Sequence, residues 1–126
     1  MKSSYVTVAC VLGFAGVALG AFGAHALTSI TTASRLETWS TAVDYHLFHT
    51  LAILALLALF SGKSSVWLQR ALLAFTAGIF VFSGSLYLLV ITDVGILGAV
   101  TPIGGVLLLI GWICAFAASR ELADND

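Results

Sequence analysis

The chain has 126 residues, of which 60% are hydrophobic and only 9% charged, with a formal net charge of -1. A soluble domain carries about 25% charged residues and needs polar groups over the third or so of its surface that stays outside, so this composition and a mean hydropathy of +1.09 exclude a soluble globular protein. No basic cluster is present to release phosphate counterions, which excludes a nucleic-acid partner; the expected partner is the lipid bilayer.

A hydrocarbon layer about 30 Å thick takes about 20 apolar helical residues per crossing. Four such runs are predicted, at about 5–26, 42–60, 70–91 and 97–119, within one integral membrane domain over 1–126. The runs are continuous rather than alternating, which argues against barrel strands. The fold class is all-α: an antiparallel bundle of four transmembrane helices.

The first run follows Lys2 and ends at Ala24-His25-Ala26, a small-x-small pattern that could serve a signal peptide. It is longer than the usual signal core of about 7–15 residues, and Ala9, Gly13, Gly16, Gly20 and Gly23 recur along one face. In lipid, close backbone approach across small residues is a main source of association energy. The run is therefore read as a permanent helix whose glycine stripe contacts another helix, in the bundle or in a second copy. After it, Ser34 is expected to cap the second helix with Glu37 closing a capping box, so that this helix starts near Arg35 and places Trp39 at the membrane boundary. Tyr5 and Trp67 suit the opposite boundary. The third run carries a weaker stripe, Ala74, Gly78, Val81 and Ser85, and the fourth carries Gly104, Leu108, Gly111 and Ala115. Thr101 can cap and Pro102 can open the fourth helix, which leaves open a break or kink there, with 93–100 as an apolar connection against the membrane.

Orientation follows from the basic residues of the short connections. Lys2, Lys63, Arg70 and Arg120 share one side and Arg35 stands on the other, so both termini are expected in the cytoplasm of a cell whose inner membrane holds the chain. Few polar residues lie within the spans, and most fall in the outer half. His25 closes the first helix; Tyr45, His46 and His49 open the second; Ser83, Ser85 and Tyr87 lie at similar depth in the third. Their common depth predicts a polar cluster with His25, His49, Ser85 and Tyr87 pointing inward and within hydrogen-bond reach, and His46 turned toward the interface. Two histidines three residues apart, with a third from a neighbouring helix, could bind zinc, copper or haem iron. No cysteine or carboxylate spacing supports a particular metal, and no cofactor is identified. The preferred reading is interhelical hydrogen bonding. A proton path would want a carboxylate deep in the membrane, whereas Asp44 and Asp93 lie near its boundary. Cys10 and Cys114 read as inert packing residues. Ser83-Gly84-Ser85 reads as a small-residue contact, and no phosphate loop, nucleophile elbow or zinc-protease pattern occurs.

Gly20-Ala21-Phe22-Gly23-Ala24-His25-Ala26-Leu27, Tyr45-His46-Leu47-Phe48-His49-Thr50-Leu51-Ala52, Phe82-Ser83-Gly84-Ser85-Leu86-Tyr87, Thr101-Pro102-Ile103-Gly104-Gly105 and Gly111-Trp112 resemble the YgdD-like family of small inner-membrane proteins. The resemblance touches all four runs and implies a four-helix bacterial inner-membrane protein; it implies no reaction and no catalytic residues. The expected role is that of a non-enzymatic accessory or structural protein acting through helix contacts with itself or another membrane protein. The alternative is a binding or transport protein whose outer-half polar site takes a metal, haem, lipid or small solute.

Overall fold

The computed structural model describes residues 2–124 and contains four long helices, α1 (Lys2–His25), α2 (Ala33–Leu59), α3 (Val66–Thr92) and α4 (Thr101–Asp124). Short 3-10 turns at Leu27–Ser29 and Gly95–Ala99 precede α2 and α4, and no strand occurs among the described residues. All four helices are long and apolar enough to cross a membrane.

Local chemistry sets the boundaries. Thr32, not Ser34, caps α2, its hydroxyl accepting the Arg35 N–H at 3.3 Å. Ser34 lies inside the first turn, where its carbonyl accepts the Thr38 hydroxyl, so the expected capping box does not form. α2 therefore begins well before residue 42, and its polar first turns carry the helix beyond the apolar run. Ser65 caps α3 by accepting the Leu68 N–H at 3.1 Å. Asp93 ends α3 in the left-handed region (φ 56°), its N–H bonded to the Leu89 carbonyl at 2.8 Å. α4 is continuous from Thr101, with Pro102 in the first turn, where a missing N–H costs nothing. The interruption expected near the proline lies ahead of it, in the 3-10 turn at Gly95–Ala99.

Each helix packs on the next in sequence: α1 on α2, α2 on α3 and α3 on α4. The glycine stripe of α1 faces α2 of the same chain. A methyl group on Gly16 would come within 2.5 Å of Leu47, one on Gly20 within 3.3 Å of Val43, and one on Gly23 would collide with the Trp39 indole, while Gly13 has ordinary room against Thr50. The stripes of α3 and α4 meet each other in the same way, Gly78 against Leu108 and Gly111 against the ring of Phe75. Gly104 makes the closest approach, lying directly on the backbone of Phe82. Between these contacts Leu12, Ile53, Leu72, Phe75 and Leu108 form a core drawn from all four helices.

Polar ties fasten the two ends. At one end the Lys2 ammonium donates to the Phe60 carbonyl at 2.6 Å and to that of Lys63, supplying positive charge to the carbonyl end of α2. The Ser65 hydroxyl donates to Glu121 at 2.5 Å there. At the other end Arg35 pairs with Asp93 at 2.8 Å, joining the start of α2 to the end of α3. Cys114 is buried beside Ala71 and Cys10 faces outward; both are free thiols.

Candidate functional site

Two histidines of α2 organise the polar interior, and they face different neighbours. His46 Nε2 lies 2.8 Å from the Leu12 carbonyl, which can only accept, so Nε2 carries the proton. In the neutral ring Nδ1 then accepts the Tyr87 hydroxyl at 3.0 Å. One imidazole thereby ties α1, α2 and α3 together. His49 shows the reverse arrangement. The indole N–H of Trp112 can only donate, and it reaches Nε2 at 3.1 Å, so that nitrogen is bare. Nδ1 carries the proton and donates to the Tyr45 carbonyl one turn earlier, at 2.8 Å. His49 thus binds α2 to α4, with the Phe75 ring of α3 at 5.4 Å between centroids.

The serines serve separate contacts. Ser83 is fully buried and donates to the Ala42 carbonyl at 2.7 Å, from α3 to α2. Ser85 and Thr101 share a hydroxyl hydrogen bond of 2.7 Å between α3 and α4, and Ser85 also donates to its own Phe82 carbonyl at 2.9 Å. Every buried side-chain nitrogen or oxygen among the described residues has a hydrogen-bond partner. In lipid an interhelical hydrogen bond is worth about 0.6 kcal/mol on average, so these bonds fix helix pairing more than they supply bulk stability.

The single cluster expected from depth is therefore divided. His46 and Tyr87 join on the α1–α3 side, His49 joins Trp112 on the α4 side, Ser83 and Ser85 point to opposite neighbours, and Tyr45 lies outward over Phe82 with ring centroids 4.5 Å apart. His25 joins none of them. It sits exposed at the end of α1, about 200° around the helix from Gly23, whose face packs on α2. His46 is buried rather than turned to the interface, being only 4% exposed. Trp39, expected half wet at the boundary, is buried at 2% exposure, its indole N–H donating to the Leu19 carbonyl of α1 at 2.8 Å. The three histidines do not converge, and among the described residues no three His, Cys, Asp or Glu side chains form a group able to hold a metal.

Sequence reasoning missed the part that Trp112, Thr101 and the carbonyl of Leu12 take in these contacts. Trp112 had a signal: it follows Gly111 of the fourth-helix stripe, so its ring emerges beside the α3–α4 contact. It also forms one wall of a groove of about 690 Å³ between α2 and α4, open to the side. Phe48, Phe82, Leu109 and Pro102 continue the wall, and Asp44 and Tyr45 stand on its rim.

Comparison with known proteins agrees with this architecture. Residues 19–105 match the family described as "Protein of unknown function (DUF423)". The chain is 40% identical over 123 residues to the UPF0382 inner membrane protein YgdD of Escherichia coli (strain K12), covering 97% of this chain and 94% of that protein. It is 42% identical over 113 residues to a UPF0382 membrane protein of Haemophilus influenzae, with 90% of each covered. It is 40% identical over 122 residues to the UPF0382 membrane protein YwdK of Bacillus subtilis, covering 91% of this chain and 94% of that one. No solved structure matches the chain significantly.

Proposed function

For a chain that belongs to the DUF423 family of small membrane proteins, we propose a non-enzymatic accessory role, exercised through contacts within the bilayer. The observation that carries this reading is the closed polar interior. Both ring nitrogens of His46 and of His49 are spent inside the chain, as are the hydroxyls of Ser83, Ser85 and Tyr87. Among the described residues these histidines and hydroxyls therefore offer no free base or hydroxyl nucleophile to a substrate. The small-residue stripes are also consumed by internal pairing, so contact with a partner falls to outward faces such as Val11, Phe14 and Val17 on α1, where Phe14 is 79% exposed. This face carries no charge.

Site-specific photo-crosslinking from position 14 in native membranes tests the role. Discrete protein adducts are expected. Lipid adducts alone at 14, and equally at Ile113 on α4, would refute it. The second reading, a binding protein, draws support from one feature, the groove between α2 and α4.

A further inference from the structure

The groove between α2 and α4 combines an apolar lining with one carboxylate at its rim. With one membrane boundary taken at Leu59, beside the Phe60 carbonyl that Lys2 binds, Asp44 lies about 22 Å along α2. That leaves it about 8 Å below the far boundary of a hydrocarbon layer about 30 Å thick. Asp44 faces outward and has no hydrogen-bond or ion-pair partner among the described residues. Among the described residues no spare Lys or Arg stands near it. Arg35 is paired with Asp93, while Lys2, Lys63, Arg70 and Arg120 belong to the opposite end of the bundle. An ionisable group this close to hydrocarbon is costly without a partner, and a cation from outside the chain would supply one.

We infer that the groove binds one phospholipid bearing a primary ammonium headgroup, with Asp44 receiving the ammonium and an acyl chain lying against Phe48, Leu109 and Trp112. A primary ammonium brings three N–H donors, which a quaternary choline lacks. The walls suit an acyl chain: Phe48 is 62% and Leu109 63% exposed, and the groove volume of about 690 Å³ falls within the range of small-ligand sites. A second copy docked symmetrically across the same groove would bring two Asp44 carboxylates together with no cation between them, which disfavours that occupant. The inference stands apart from the accessory role, which concerns the outward face of α1.

Trp112 is a built-in reporter. The full chain is reconstituted in phosphatidylcholine vesicles containing equal mole fractions of either brominated phosphatidylethanolamine or brominated phosphatidylcholine, and tryptophan quenching is read. Subtracting the Trp112→Phe signal isolates the groove from Trp39 and Trp67. Brominated phosphatidylethanolamine is expected to act at Trp112 as though enriched about fivefold over its bulk fraction, the upper end of what an accessible ion pair supplies. Asp44→Asn, on an outward surface and checked for unchanged helicity, should equalise the two lipids. Equal quenching in the wild type, a preference that survives Asp44→Asn, or a Trp112 shielded from both lipids by a protein occupant would each overturn the inference. None of these results bears on crosslinking from position 14.

Discussion

Replacing Gly104 by alanine tests the crossing of α3 and α4 at its narrowest point. The added methyl would lie 2.6 Å from Phe82 Cα and 2.7 Å from its Cβ, and closer still to its backbone nitrogen. Ordinary contact begins near 3.4 Å, so the helices must separate by about 1 Å. Overfilling of this kind costs about 1–3 kcal/mol. The Ser85–Thr101 hydrogen bond, one turn away on the same face, would stretch and forfeit about 0.6 kcal/mol more. Alanine regains about 1 kcal/mol of helix propensity, which leaves a net loss of about 0.6–2.6 kcal/mol. Gly105 is the internal control. Its added methyl would sit 3.8 Å from the Phe82 ring, an ordinary contact, so only the propensity gain of up to about 1 kcal/mol remains. Unfolding of both variants in detergent, followed by circular dichroism, should show opposite shifts of the midpoint. A Gly104→Ala protein as stable as Gly105→Ala would refute the close approach and the geometry inferred around it.

The α1 stripe gives a second prediction: Gly16→Leu and Gly20→Leu should each lower the unfolding midpoint, because Leu47 and Val43 already occupy the space. Wild-type midpoints for both would show that α1 does not lie on α2 in this register. Nitrogen NMR of the purified chain should find opposite tautomers on one helix, Nε2–H at His46 and Nδ1–H at His49; a shared tautomer contradicts the hydrogen bonds assigned to Leu12 and Trp112. Tyr87→Phe should cost about 1 kcal/mol by leaving His46 Nδ1 buried without a donor, and an unchanged unfolding midpoint would place that hydroxyl elsewhere. Reporter fusions at the C-terminus and in the 27–32 connection should place the former in the cytoplasm and the latter outside, as the distribution of basic residues implies.

The helices were legible because a continuous apolar run has few alternatives in lipid, where unpaired backbone groups are prohibitive. Their ends were less so. Thr32 and Ser34 offer equivalent hydroxyls, and only the path of the chain through Leu27–Ser29 decides which meets the first free N–H. Depth along the membrane could be read for the polar residues, but direction around each helix could not. His46 and His49 are separated by about 60° on α2, which on paper resembles a common face. With α1 and α3 on one side and α4 on the other, that angle is enough to send them to different partners. His25 was recoverable from the sequence, since it lies off the glycine stripe that defines the inner face of α1. Trp39 was not, because its burial depends on the space that Gly23 leaves on another helix.

The two histidines also draw their partners from successive helices. A chain threads into the membrane from its N-terminal end, so α1 and α2 meet first. At that stage His46 already has the Leu12 carbonyl and Trp39 already has the Leu19 carbonyl. His46 Nδ1 waits for Tyr87 on the third helix, and His49 Nε2 waits for Trp112 on the last. Each later helix thus arrives at a polar atom left open for it, and the final one closes the set. A ribosome-bound chain ending after α3 would hold a hairpin and a third helix in place while His49 still presented a bare nitrogen to the bilayer, marking the position that α4 comes to fill.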